Sequence, residues 1–548
     1  MGEKLKNAIR GHKEKKKNRS GGFSYMLASF IIHKRGWIET VFVICLLSLL
    51  TMNFVNVNYD LTKYLPDTAE SAIGLDVMRD KFGYPGTARV MVKDVSLYEA
   101  KQYKDEIADI DGVDQVLWCD STVNIYAGED FINESDIKDY YRDRNAVYDI
   151  TFVEESDSSR TSGAIDEIKE LLGDKGCYVG MAVQNKSMTE SMESEMSKIL
   201  VVAVVMIFTV LSVTTTAWTE PILFLLVMGV AVLLNKGTNI FVGTVSFLTE
   251  NVSIILQLAT SMDYSIFLLD AFMNYRKQGM NEEEAIINAV EEAINSIFAS
   301  SLTTVVGFLA LVTMQFSIGF DLGLVLAKGI VFSLLTVVFF MPAMILKFAK
   351  LNERTKHKSF MPDFHGLGKV IYRIRPIVFA VIVLVTPLAY TAQGLNDFLY
   401  GNDSMGASEG TQVYEDDQQI TKIFGRSNML LALYPNTSEV NERAMAKEIK
   451  ALPYVKSVTA LADTLPEGIP EEFLPKSTVE LLHKGGYCRM LVYTRTKTES
   501  AEAFKDSDEI QTIVKKYYPE GSYLVGETPS TQDIKSFIVK DYENVNVL

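Results

Sequence analysis

Membrane-length apolar segments, separated by long polar stretches in a pattern that starts twice, constrain this chain more than any other feature. Residues 37–55 are apolar and lead into a polar stretch of roughly 140 residues. Five further apolar segments follow, at 199–216, 221–241, 252–273, 297–314 and 322–346, and after a basic loop residues 376–392 are apolar again. A second polar stretch then runs to the last residue. The two starts match locally. "NVNYDLTKYLPDTAESA" has a counterpart in "GLNDFLYGNDSMGASEG", Phe82-Gly83 in Phe424-Gly425, and "CYVGMAVQNKSMTESME" in "SYLVGETPSTQDIKSFI", all at offsets of 338 to 346 residues. Chance seldom keeps an offset so constant. A duplicated membrane unit with a large polar domain in each half is a transporter layout. The first copy continues into five more spans and the second stops where its next span is due, so a truncated molecule or a fragment is expected.

Each apolar run approaches the 20 or so residues that cross a bilayer. The run 221–241 is interrupted by Asn235 and Lys236, and 376–392 is short. Charge orients the spans. Residues 1–36 carry ten Lys or Arg against two acids, and 347–375 carry eight against two, which places both on the cytoplasmic side. Residues 56–198 hold 30 acids and 15 bases, so most of the formal charge of −16 lies outside. A basic tail can also bind nucleic acid, but one placed directly before a span is explained by topology, and no nucleic-acid partner is expected. The first apolar run has no small-residue cleavage site after it and reads as a retained anchor. The expected organisation is a basic N-terminus (1–36), a first span (37–55), an external domain (56–198), a five-span bundle (199–346), a basic linker (347–375), a seventh span (376–392) and a second external domain (393–548).

Within 56–198, strand-like runs at 89–93, 113–118, 147–153 and 177–180 flank helical stretches at Ser96–Ile107 and Gly163–Leu172. Two strand–helix–strand units predict a ferredoxin-like βαββαβ sandwich. The second polar stretch repeats the plan coarsely, with strands at Met429–Tyr434, Val455–Leu461, Cys488–Thr494 and Tyr523–Gly526 around helices at Glu439–Leu452 and Ala501–Tyr517. The fold class expected is therefore a membrane α-helical bundle of seven transmembrane helices carrying two α+β external domains. Neither external domain contains a Ser-His-Asp set, a zinc motif or a phosphate-binding glycine loop, which argues against an enzyme and against a metal or other cofactor. Only five histidines occur, four of them in the basic segments. Cys45 lies in a span, and Cys119, Cys177 and Cys488 lie in the polar domains. Three external cysteines cannot all pair, and in a split βαβ sheet Cys119 and Cys177 are too far apart to bond, so free thiols are expected.

The residues that carry chemistry lie inside the membrane. Asp263 stands mid-span in "LATSMDYSIFLLDAF", where an ionisable group costs about 2.5–3.5 kcal/mol to insert and is a functional candidate by default. Desolvation can bring such a carboxyl into a useful titration range, and Tyr264 puts a hydroxyl beside it. The alternative is an Asp used for packing or facing a wet vestibule. The carboxyl should face the bundle interior, near Lys328, Thr303 or Thr304, or a cavity left for further spans. Asp270, seven residues on, reads as a solvated terminal charge or a relay member. Lys328 can snorkel outward or turn inward towards Asp263. Thr303 and Thr304 read as packing hydroxyls or relay contacts. Residues 281–296 read as an amphipathic helix at the membrane surface, capped by Asn281, with Ile286, Val290, Ala293 and Ile294 on one face.

The segment Ser253–Leu311 resembles the RND superfamily, and most closely its MMPL branch of hydrophobe and lipid exporters. The likeness rests on Asp263-Tyr264, on Tyr275-Arg276, on "NEEEAIINAVEEAINS" and on "SSLTTVVGFLAL", within a one-plus-five span plan that covers the chain. The resemblance implies an exporter in the bacterial plasma membrane driven by the proton-motive force, with Asp263 and Tyr264 in the proton relay. It also implies external porter-type domains that pass on a lipid or amphiphilic substrate. The family relay draws a second Asp-Tyr pair from the tenth span, so a missing C-terminal half or a second subunit is an expected partner, and oligomerisation is left open. Two other classes compete: a lipid- or sterol-sensing module that binds without pumping, and a protein-export accessory of the SecDF type.

Overall fold

The computed structural model describes residues 23–121, 123–125, 133, 137–357, 360, 367–393, 399–401, 409–465, 471–474 and 476–547. Most of the basic N-terminus (1–22), part of the basic linker and most of the "GLNDFLYGNDSMGASEG" repeat lie outside these residues. The chain divides into two compact units. One comprises residues 1–58, 195–397 and 544–548, the other 59–194 and 398–543.

The first unit is helical. Among the described residues, seven helices are long and apolar enough to cross a membrane. Its core is built by α1 (Thr219–Gly237), α2 (Phe247–Lys277), α3 (Glu282–Leu311) and α4 (Ile318–Leu335). Local chemistry sets the helix ends. The Ser246 hydroxyl accepts from the Thr249 amide at 3.1 Å to start α2, and Gly279, with φ of 85°, turns the chain after its end. Asn281 caps α3 by accepting from the Glu284 amide at 2.7 Å. The expected surface helix 281–296 and the fifth span are one continuous 30-residue helix. The apolar face of 281–296 is buried: Ile286, Val290 and Ala293 belong to the same core as Phe224, Leu268 and Met341. The burial of apolar area on that face favours docking into the bundle over lying at a surface. A π-helical turn at Thr336–Phe340 continues α4 into the helix Met341–Lys347. The seventh apolar helix, Leu367–Gln393, exposes all its residues from Val370 to Gln393.

The second unit holds two five-stranded sheets. The first contains β1 (Thr87–Val92), β2 (Val113–Leu117), β3 (Tyr141–Arg142), β4 (Asn145–Phe152) and β5 (Gly176–Val179). Its order is β2-β4-β1-β5, with β3 a short hairpin partner of β4. The second contains β6 (Asn428–Pro435), β7 (Val455–Thr459), β8 (His483–Lys484), β9 (Tyr487–Thr494) and β10 (Tyr523–Gly526). In it β9 pairs with β6, β7 and β8, and β10 pairs with β6. All of these pairings are antiparallel. The duplication extends to backbone details. The β3–β4 turn uses positive φ at Asp143 and Arg144, and the β8–β9 turn uses it at Gly485 and Gly486, the signature of a tight two-residue hairpin. Gly180 and Gly526 both end their strands at positive φ, and a Cβ at either would press on the neighbouring strand, against Ala88 Cα at 3.0 Å or Met429 O at 2.8 Å.

Each sheet is covered on one face by its own helices. Leu97–Ala108 and Ser159–Leu172 cover the first, and Glu439–Lys450 and Ala501–Tyr517 the second. The opposite faces are covered reciprocally. Helix Gln412–Phe424, from the second repeat, lays Ile420 and Phe424 against Met91, Val147 and Cys177 of the first sheet. Helix Glu70–Lys81, from the first repeat, lays Leu75 and Met78 against Leu431, Leu433 and Val525 of the second. Polar pairs fix the exchange. Asp416 accepts from the Tyr178 amide at 2.9 Å, and Asp533 accepts from the Ser71 amide and hydroxyl at 3.0 and 2.6 Å. None of the four cysteines forms a disulfide among the described residues. Cys119 and Cys177 belong to cores on opposite faces of the first sheet.

Candidate functional site

Polar side chains line the interior of the bundle between α1, α2 and α4. On α2, the residues Thr249, Ser253, Gln257, Ser261 and Ser265 recur every four positions and are all buried. That spacing puts them in one stripe on a helix of 3.6 residues per turn. The stripe is bonded to its neighbours. Asn235 Nδ2 donates to Gln257 Oε1 at 3.2 Å, Gln257 Nε2 donates to the Gly329 carbonyl at 3.0 Å, and Ser261 and Ser333 hydroxyls meet at 2.7 Å. Gly329 makes this approach possible, because a Cβ there would lie 2.8 Å from Asn235 Nδ2. Near the start of α2, Lys236 and Glu250 form an ion pair at 2.5 Å, and Asp321 Oδ2 accepts from the Ser246 amide at 2.6 Å. The other oxygen of Asp321 is buried without a partner.

The residues singled out in the sequence are distributed differently from expectation. Tyr264 is buried in the helical core, but Asp263 is exposed and, among the described residues, makes no hydrogen bond or ion pair. The expectation of an inward Asp263 is thereby corrected, and the reason is helical geometry. Two residues are about 200° of rotation, so Asp263 lies opposite the buried Ser261 and Ser265. It shares an exposed stripe with Val252, Ala259, Phe267 and Asp270. Asp270 accepts from the Asn274 amide group at 3.3 Å. Lys328 turns inward, but to a different partner than Asp263: its Nζ donates to the Asn235 carbonyl at 3.0 Å and to Asn239 Oδ1 at 2.6 Å. Thr303 and Thr304 bond back to the carbonyls of Ala299 and Ser300 at 2.9 and 3.0 Å, which leaves them as helix-satisfied hydroxyls. Sequence reasoning missed Gln257, Asn239, Glu250 and Ser333. The signal was present in the four-residue spacing of polar residues along 249–265, and in Asn235 and Lys236, which had weakened the third span.

Removing the ammonium of Lys328 takes the donor from Asn239 Oδ1, whereas the Asn235 carbonyl still accepts from the Thr238 hydroxyl at 3.1 Å, a cost of about 1–3 kcal/mol. Lys328→Met should lower the detergent-solubilised chain's thermal midpoint accordingly, while Lys328→Arg should recover part of the loss. An unchanged midpoint for Lys328→Met would show that water satisfies Asn239 Oδ1.

In the sheet unit, an open cleft of about 590 Å³ is bordered by Phe82, Tyr84, Pro85, Phe152, Glu154 and Asp157. Its walls are apolar on one part and carboxylate on another.

Comparison with known proteins gives a match to the MMPL family model over residues 122–373. A protein of Methanocaldococcus jannaschii named as membrane protein MJ1562 is 40% identical over 91 residues, 17% of this chain and 24% of that protein. YdgH of Bacillus subtilis, also named as a membrane protein, is 24% identical over 298 residues, 52% of this chain and 32% of its own length. ActII-3 of Streptomyces coelicolor, named likewise, is 27% identical over 199 residues, 34% of this chain and 27% of its own length. The matches span about a quarter to a third of these relatives. The matched region contains all of α1 to α4, the buried polar stripe and the Asp263-Tyr264 pair, and over it this chain is similar to the MMPL family.

Proposed function

We propose that this chain forms part of a transporter of the RND/MMPL type that exports lipids or other hydrophobic and amphiphilic compounds at the expense of the proton-motive force. The observation that carries the reading is Asp263 beside the buried Tyr264, on a family-matched helix whose opposite face holds a continuous polar stripe. A carboxyl on an exposed apolar stripe is costly in hydrocarbon. Docking of helices from a second half or a second subunit on Val252, Ala259, Asp263 and Phe267 would enclose it, and protonation of Asp263 would then alter the charge inside a closed bundle. Tyr264 orients that carboxyl or passes its proton. The two sheet domains, each with strand–helix–strand halves, act as ferredoxin-like porter domains, and the cleft at Phe82, Tyr84 and Phe152 offers an amphiphile both apolar and polar walls. The protein works as a carrier and not as an enzyme.

The setting is the bacterial plasma membrane, with the N-terminus and residues 347–375 in the cytoplasm and both sheet domains outside. Two measurements test the proposal. An impermeant thiol reagent should label cysteines introduced in 56–198 and 409–547 on intact cells and leave one at Ser20 unlabelled. Export of a fluorescent amphiphile by the complete transporter should stop when a protonophore collapses the gradient. Labelling at Ser20 reverses the topology, and export that survives the protonophore removes the proton coupling.

A further inference from the structure

We propose that Glu442, His483 and Cys488 form a zinc-binding site in the core of the second sheet domain. The donor atoms of the three side chains all lie within 4.8 Å of one another. All three residues are buried, at 2%, 6% and 1% exposure. They converge from separate elements: Glu442 from helix Glu439–Lys450, His483 from β8 and Cys488 from β9. His483 and Cys488 are direct cross-strand partners, which sets their side chains on one sheet face. The same pairing places Tyr434 of β6 opposite Cys488.

The surrounding hydrogen bonds prepare the donors. His483 Nδ1 lies 2.8 Å from Glu471 Oε2, and His483 Nε2 faces Glu442 Oε2 at 3.0 Å. A carboxylate that holds one imidazole nitrogen fixes the ring and directs the other at the cation, the usual outer-shell support of a zinc histidine. Glu442 Oε1 accepts from the Ala462 amide at 3.1 Å, so that carboxylate is oriented as well. One sulfur, one imidazole nitrogen and one carboxylate oxygen suit Zn²⁺, with water as a fourth ligand. Calcium and magnesium prefer oxygen throughout. Burial and the adjacent Glu442 push the Cys488 thiol up, so it stays protonated until a cation displaces its proton. Binding transfers the Cys488 thiol proton, and any proton on His483 Nε2, to solvent and leaves thiolate and neutral imidazole on the metal.

The internal repeat provides an independent argument. Ser96 and Ser438 cap equivalent helices, so Ala100 occupies the place of Glu442. Tyr141 and Ala146 pair across the first sheet's hairpin as His483 and Cys488 pair across the second. The same fold is thus built in the first repeat with alanine, tyrosine and alanine. Nothing in the fold demands a carboxylate, an imidazole and a thiol at these positions, and burying them together is costly without a compensating charge.

The full-length chain, purified in detergent and stripped with a chelator, should be titrated with Co²⁺ and then Zn²⁺. One Co²⁺ per chain, a near-ultraviolet thiolate-to-cobalt band and displacement of both by Zn²⁺ are expected. Cys488→Ser should remove the band. Glu471→Gln should keep the band and weaken binding about 10- to 100-fold. The wild-type titration decides the matter even if a variant misfolds. No stoichiometric Co²⁺ or Zn²⁺ on the wild-type chain would reduce the cluster to a buried ion pair beside a thiol. A band that persists in Cys488→Ser would assign the metal to another cysteine and overturn the site.

Discussion

Asp263→Asn, introduced into the complete transporter, should reduce proton-driven export to background while the protein still folds and inserts. The substitution keeps the size of the side chain and replaces the carboxyl with an amide that cannot carry a proton on and off. Asp263 is exposed and makes no hydrogen bond or ion pair among the described residues. Asn is nearly isosteric with Asp and uncharged, so it is no costlier to place inside the membrane than the carboxylate. Loss of export can therefore be separated from loss of fold by comparing membrane yield and thermal midpoint with the wild type. Tyr264→Phe should impair export less, because it deletes one hydroxyl and leaves the carboxyl in place. Undiminished proton-driven export by Asp263→Asn would leave Asp263 a structural role only.

Phe424→Ala should loosen the first sheet although residue 424 belongs to the second repeat. Phe424 is buried, at 6% exposure, against Met91, Val147 and Cys177. Truncating a buried phenylalanine costs about 3–5 kcal/mol, from lost transfer energy and the cavity left behind. Amide exchange should accelerate in β1, β4 and β5. The reciprocal change, Leu75→Ala, removes a smaller side chain from the face of the second sheet that helix Glu70–Lys81 covers and should accelerate β6 and β10, at about 2–5 kcal/mol. Exchange that rises only in the repeat carrying the substitution would contradict the reciprocal packing.

The sequence by itself determined the elements. Hydropathy over some 20 residues marks a span wherever it occurs, and the period-two and capping signals around Ser96, Ser438 and Ala501–Tyr517 are local, so strands and helices were legible within a few residues. The constant repeat offset was legible too, and it reappears as matched positive-φ turns at 143–144 and 485–486. The family likeness rested on contiguous residues around Asp263 and needed no tertiary contact. What the sequence left open were choices among partners far apart in the chain. Lys328 had several acceptors within reach, and only the packing of α1 on α4 selected Asn235 and Asn239. The side of α2 that faces inward was set by burial of its whole length, which placed Gln257 and Ser261 inside and Asp263 outside. The exchange of helices Glu70–Lys81 and Gln412–Phe424 leaves no local trace, because each amphipathic face fits its own sheet or its twin equally well by pattern. Glu442, His483 and Cys488 show no metal spacing for the same reason. Their convergence is decided by the register of β8 on β9 and the docking of a helix some forty residues earlier, and neither is a property of any short stretch of sequence.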